Sequence, residues 1–306
     1  MQAQVVVIGS LNMDLVVRVP RLPRPGETLV GESFATVPGG KGANQAVAVA
    51  RLGASVAMLG CVGDDAYGQQ LREALLAEGV DCQGVTRVAS VSTGIASILV
   101  DQHSQNAIVI VEGGNGQLLP ASVERFDALL AQAKVVVCQL EVPAATVLHS
   151  LRRARELGCT VILNPAPASQ PLPDEWYPLI DYLIPNESEA QALTGVSVDS
   201  PASATAAAQI LLAAGASNVI VTLGGQGVLL ANAQASEHLP AHTVQAIDTT
   251  AAGDTFVGAL AAALAQGQPP AQAIRFAQAA AAVSVTRAGA QPSIPTLDDV
   301  HRLMAP

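Results

Sequence analysis

Charge is scarce in this chain: 13% of its residues are charged and 50% are hydrophobic, against a charged share of about a quarter in ordinary soluble proteins. That balance argues against disorder, because there is enough apolar surface to bury. Lys+Arg total 15 and Asp+Glu 25, a net charge of −10, which argues against a broad nucleic-acid surface or a polybasic membrane patch. An anionic substrate has to be met locally, by backbone amides, a lysine or a metal. Cysteine is scarce as well. Cys61, Cys82, Cys138 and Cys159 form no C-x-x-C pair, and all but Cys82 lie in or beside apolar stretches, as buried structural thiols do. The five histidines show no zinc spacing. No apolar run reaches the ~18 residues of a membrane span. Residues 1–10 read as a strand, with no charged segment leading to a small-residue cleavage site. The expectation is a soluble, cytoplasmic protein without nucleic-acid or membrane partners. No linker or internal repeat is visible, and the 306 residues are read as a single domain, 1–306, within a prior of about 150 residues per domain.

What is present is alternation. Short apolar runs at Gln4–Ile8, Ser55–Leu59, Val135–Cys138, Val161–Leu163, Tyr182–Ile184 and Val219–Thr222 read as buried strands. Helical spacing appears over Lys41–Leu52, Tyr67–Ala77, Pro143–Leu157, Glu187–Leu193 and Ala202–Ala214, with Gly53 and Gly79 as stops. This predicts an α/β fold, a mostly parallel central sheet flanked by helices. Leu15–Val37 and Thr93–Val111, the latter turning at His103-Ser104-Gln105, break the rhythm with short alternating pieces. They read as a small antiparallel β lid inserted at about residues 12–37 and 93–111, or as ordinary edge hairpins. Gly253–Gln266 and Gln272–Thr286 are two alanine-rich helices.

Two nucleotide signatures are missing. Gly40-Lys41 is followed by Gly42 rather than Ser or Thr, so no Walker-type loop exists, and Gly40-Lys41-Gly42-Ala43-Asn44-Gln45 fails the last glycine of a dinucleotide fingerprint. More informative is Asp248-Thr249-Thr250-Ala251-Ala252-Gly253-Asp254, a turn of mostly small residues running into a long helix. The first amides of a helix have no internal partners and attract anions, and small side chains permit close approach. Asp254 in the first turn either flanks such an anion or simply complements the helix dipole. Asn12 and Asp14, two residues apart in an extended piece, project to one face and suit a polyol, though each alone also suits a turn. Gly39–Asn44, Glu141, the Asn186–Glu189 cluster and Gly224-Gly225-Gln226-Gly227 are further polar or glycine-rich breaks. The last three follow buried strands, on the edge of a parallel sheet where ligands gather.

Together, Asn12-Met13-Asp14, Gly39–Gln45, Asn186-x-x-Glu189 and Asp248–Phe256 resemble the ribokinase-like carbohydrate kinase family, over nearly the whole chain from Val5 to Pro295. The resemblance implies ATP-dependent phosphorylation of a sugar, D-ribose at its 5-hydroxyl, with 2-deoxyribose or a nucleoside as alternatives and a non-catalytic sugar- or nucleotide-binding regulator as a third. It implies a sugar pocket of Asn12, Asp14, Gly40, Lys41, Asn44 and Glu141, with Asp254 as general base and Ala251, Ala252 and Gly253 as anion hole. Asn186 and Glu189 would organise Mg²⁺ and the phosphates of ATP. Thr222, Gly224, Gly225 and Gly227 would hold the nucleotide, with Gln278 beside the base where relatives often carry His or Asn. An activating K⁺ is implied near Asp248, Thr250, Ser284, Arg287, Gly289 and Ser293, with Thr250 and Ser284 giving carbonyls. The family's lid sheets often pair two subunits, so a homodimer is expected.

Overall fold

A computed structural model describes residues 3–103 and 105–305. Met1 and Gln2, at the head of the expected first strand, and Ser104, in the expected lid turn, lie outside the described residues. Thirteen strands are present among those described: β1 (Val5–Ile8), β2 (Asn12–Arg18), β3 (Ser33–Gly39), β4 (Val56–Gly63), β5 (Asp81–Val88), β6 (Gly94–Val100), β7 (Asn106–Val111), β8 (Val135–Cys138), β9 (Thr160–Leu163), β10 (Tyr182–Leu183), β11 (Asn218–Thr222), β12 (Val228–Asn232) and β13 (Ser236–Leu239). Nine build the main sheet, in the order β13-β12-β11-β10-β9-β8-β1-β4-β5. From β5 to β11 every pairing is parallel, and β12 and β13 then add antiparallel neighbours.

The strands bury both faces, which is why their sequences are runs of Val and Ile instead of alternating patterns. Val5, Val7, Val135 and Val137 pack into one core layer with helices Lys41–Arg51, Ala252–Ala265 and Pro270–Ser284. Val6, Ile8, Val136 and Cys138 pack into the other, against helices Ala144–Glu156 and Pro201–Ala213. Ala252–Ala265 is apolar all round because it is buried almost all round. At Gly258 a Cβ would meet Gln45 O at 2.6 Å and Ala48 Cβ at 2.5 Å. A glycine is therefore needed where this helix crosses Lys41–Arg51.

A separate four-stranded sheet, β3-β2-β6-β7, forms the expected small sheet. Its outer pairings, β2–β3 and β6–β7, are antiparallel. The central β2–β6 pairing is parallel, since the chain passes back through the main sheet as β4 and β5 between the two hairpins. Strands β5, β12 and β13 and the closing helix Leu297–Met304 were not anticipated from pattern.

The sheet also fixes where a ligand belongs. From β1 the chain builds outward through β4 and β5, then returns to β8 on the other side of β1. Such a reversal opens a crevice at the carboxyl ends of the two strands.

Candidate active site

At that crevice the chain leaves β1 through Ser10 and Leu11 into the lid, while β3 returns through Gly39 and Gly40 into helix Lys41–Arg51. Gly40 has φ +91°, and a Cβ there would meet Asn12 N at 2.6 Å. Only glycine lets the two passages lie so close. Asn12 pairs with Gly39 and Asp14 with Val37, and the Asp14 carboxyl rests against Gly39. Asn12 Oδ1 accepts from Asn115 Nδ2 at 2.8 Å. Just beyond β8, Glu141 Oε2 accepts from Ser10 Oγ at 2.5 Å and Lys41 N at 3.2 Å. Asn12, Asp14, Gly40, Lys41, Asn44 and Glu141 thus converge. Burial pushes the Asp14 carboxyl up to about 7, and the charges of Glu141 and Asp254 push the same way.

Ala251 caps helix Ala252–Ala265 in a left-handed conformation, φ 58°, a strained choice for a residue with a Cβ. Asp254, in the first turn, is 8% exposed. Its Oδ2 accepts from Asn44 Nδ2 at 2.9 Å and its Oδ1 from Gln45 Nε2 at 3.0 Å. Beside it opens a cavity of about 170 Å³ lined by Ala251, Ala252, Gly253 and Asp254 on one side, with Lys41, Asn186, Glu189 and Thr222 around them. A Cβ at Gly253 would meet nothing within 4 Å. The Ala252 amide is already engaged, donating to Thr249 O at 3.2 Å. Burial works against the Lys41 ammonium, but Asp254, Glu141 and Glu189 outweigh it and hold its pKa above the ordinary lysine value.

On the other flank, Asn186 caps helix Glu187–Thr194 in a reciprocal box: Asn186 Oδ1 accepts from Glu189 N at 2.8 Å, and Glu189 Oε2 accepts from Asn186 N at 3.0 Å. A backbone bridge joins Asn186 to Thr222 at the end of β11. Burial pushes the Glu189 carboxyl up, against the pull of the Asn186 N–H and Lys41. Gly224 and Gly225 form a tight turn after β11, and Gly227 leads into β12. Gln278 stands off the cavity; its Nε2 donates to Leu239 O at 3.0 Å and Pro240 O at 3.3 Å. Magnesium keeps much of its water and binds through one or two carboxylates plus substrate phosphates. A buried Glu189 at the cavity wall fits that habit.

Asp248 gathers a second cluster. Its Oδ1 accepts from Thr250 N at 2.9 Å and Thr250 Oγ1 at 2.6 Å, and its Oδ2 from Gly289 N at 2.8 Å. Burial opposes its charge, but these donors win and hold its carboxyl below the usual range. The Asp248 and Ile247 amides both donate to Val285 O, tying this turn to the segment after Ser284. Arg287 turns its guanidinium to Asp299 at 3.0 Å, so it can enter a cation site only through its carbonyl. Ser293 is buried and donates to Ala290 O at 2.8 Å. Arg51 Nη1 holds the same loop through Gln291 O at 2.8 Å and Ile294 O at 2.7 Å. Among the described residues no three His, Cys, Asp or Glu are placed to hold a metal ion between them. Asp248 is the one acidic side chain described in this cluster, and zinc takes several Cys, His or carboxylate ligands.

Sequence reasoning missed Gln45, Gln139, Asn164 and Thr249. Gln139 and Asn164 each stand one residue beyond a buried strand, so the rule that polar breaks mark the ligand edge was available for both.

A pfkB family carbohydrate kinase model matches residues 2–297. A ribokinase of Haemophilus influenzae is 46% identical over 296 residues, 97% of this chain and 96% of that one. A deoxyribokinase of Salmonella typhi is 38% identical, covering 98% of each chain. The structure of an Arabidopsis thaliana ribokinase complexed with ribose and ATP superposes with a TM-score of 0.93 at 34% identity, covering 99% of both chains.

Proposed function

The chain belongs to the pfkB family of carbohydrate kinases, and on that premise we propose that it transfers the γ-phosphoryl group of ATP to the 5-hydroxyl of D-ribose, giving ribose 5-phosphate and ADP. The observation that carries this reading is the Asp254 carboxylate, fixed by Asn44 and Gln45 at the start of a helix whose first turn lines the cavity. Binding alone needs no such base, which argues against a non-catalytic regulator.

In this reading Asn12, Asp14, Gly40, Lys41, Asn44 and Glu141 grip the sugar. Asn44 Oδ1 is buried and has no hydrogen-bond partner among the described residues, and a sugar hydroxyl supplies one. Asp254 takes the 5-hydroxyl proton as that oxygen attacks the γ-phosphorus, and the bond to the ADP oxygen breaks. Phosphoryl transfer has a loose transition state, so alignment and charge stabilisation dominate. The Ala251 and Gly253 amides and the Lys41 ammonium face the developing charge, the Ala252 amide being held by Thr249 O; one such donor is worth about 2.7–4 kcal/mol. General-base assistance adds about 10²–10⁴-fold. Asn186, Glu189, Thr222, Gly224, Gly225, Gly227 and Gln278 are assigned to the nucleotide side. Magnesium held there would neutralise phosphate charge. Potassium near Asp248, Thr250, Ser284, Arg287, Gly289 and Ser293 would firm the turn bearing the anion site. The β2-β3-β6-β7 sheet acts as a lid that excludes water.

Exposed Phe34, Ile108, Val109, Ile110 and Val111 on that lid support pairing of two copies into a homodimer. Four buried free thiols accord with a cytoplasmic setting.

The test is ADP release with D-ribose, 2-deoxyribose, fructose and adenosine in parallel. Ribose should be turned over best. Turnover of adenosine without ribose overturns the substrate assignment, and 2-deoxyribose as the best acceptor moves the chain to the side of its deoxyribokinase relative.

A further inference from the structure

Behind Asp254 lies a chain of neutral amides. Gln45, wholly buried, sends Nε2 both to Asp254 Oδ1 at 3.0 Å and to Asn164 Oδ1 at 3.2 Å. Its own Oε1 accepts from Gln139 Nε2 at 2.6 Å, and Gln139 is also wholly buried. Asn164 in turn donates Nδ2 to Ile184 O at 2.9 Å. Neither Gln45 nor Gln139 lines the cavity. Burying three polar side chains in a Val/Ile core is unfavourable unless they bond one another. Even so, Gln139 Oε1 has no partner among the described residues, a cost that a core built for stability alone would avoid.

The direction of the chain follows from charge. An ionised carboxylate only accepts hydrogen bonds, so Gln45 must turn its amino end to Asp254 and its oxygen away. That oxygen then needs a donor, and Gln139 supplies it. We propose that Gln45, oriented by Gln139, is a positioning residue that fixes the rotation of the Asp254 carboxylate so that one oxygen faces the acceptor hydroxyl. The inference rests on the assignment of Asp254 as the base. Asn44 holds Oδ2 and Gln45 holds Oδ1, so the carboxylate plane is defined by two donors of one helix. Lys41, Asp14 and Glu189 are the charged groups that act on Asp254 from the surrounding elements. None is altered by changing Gln45.

The test compares Gln45→Met, Gln139→Met, the double variant and Asp254→Asn, with thermal melts confirming folding. Gln45→Met should lower kcat about ten- to a hundredfold, as misplaced catalytic groups do, with KM for ribose within about twofold. Because a lost donor disfavours a carboxylate's charged form, the acid limb of its kcat–pH profile should move to higher pH. Gln139→Met should show the same signature more weakly. The double variant should be no worse than Gln45→Met alone, since Gln139 acts only through Gln45. A folded Gln45→Met with the kcat and pH profile of the unmodified enzyme overturns the proposal. If Gln45→Met does not fold, an unchanged kcat and profile in Gln139→Met overturns it equally. Full activity in Asp254→Asn removes the base assignment and this inference with it, whereas an inactive Asp254→Asn beside a normal Gln45→Met refutes this inference alone.

Discussion

Asp14→Asn should exchange sugar affinity for stability, and the gain should depend on pH. In the folded chain burial, then Glu141 and Asp254, push the Asp14 carboxyl from 3.8 up to about 7. The unfolded chain lacks that environment and keeps the ordinary value. Below about pH 4 the group is neutral in both states and its contribution is fully present; as pH rises through about 7 that contribution is lost. About 3 pH units at 1.36 kcal/mol each give about 4 kcal/mol. Asparagine carries no charge at any pH, so the variant should match the parent near pH 4 and gain on it steadily to about pH 7. Above that the difference levels off, at an upper bound of about 6 °C in Tm for a chain of this length. The assay is a thermal melt of both proteins, without sugar or nucleotide, across that range. A stability difference that is flat with pH, or that shrinks as pH rises, refutes the reasoning. Ribose affinity should meanwhile fall at least about tenfold, because a neutral amide accepts hydroxyl hydrogen bonds less strongly than a carboxylate.

Asp254→Asn should retain ribose binding by calorimetry and lose at least ~10²-fold in turnover. Replacing potassium by sodium should lower the rate of ADP release, and a flat response would remove the cation from the Asp248 cluster. Gly258→Ala introduces a methyl where Ala48 Cβ and Gln45 O already stand at 2.5 and 2.6 Å. It should lower stability by about 1–3 kcal/mol and reduce kcat with it, since the helix bearing Asn44 and Gln45 must retreat from Asp254. An unchanged melting temperature together with an unchanged kcat would contradict that.

The parallel core was legible because a strand buried on both faces writes itself as an uninterrupted apolar run, as Val135–Cys138 does. Strand β5 was not, because its pattern of exposure is mixed and its sequence, DCQGVTRV, carries Gly, Gln and Arg within the strand. The hairpins were visible locally, but the parallel β2–β6 seam between them joins residues about 80 positions apart, and no local pattern encodes it. Among site residues, those carried by glycine-rich or acidic motifs stood out. Gln45 did not, although it adjoins Asn44, because a glutamine at a helical position looks like a surface residue until the core closes around it. Gln278 was legible as a polar residue in an alanine-rich helix, but the hydrogen bonds of its amide to Leu239 O and Pro240 O were not.

Helix Lys41–Arg51 is 11 residues long, a stiff rod of about 16 Å. Its leading end clasps the carboxylate through Asn44 and Gln45. Its trailing end, Arg51, grasps the Gln291 and Ile294 carbonyls and is braced by Glu78 at 2.6 Å. A slide or roll of this rod therefore displaces both grips together. Whatever tightens or slackens the loop around residue 291 is thereby carried along the axle to the alignment of the proton acceptor.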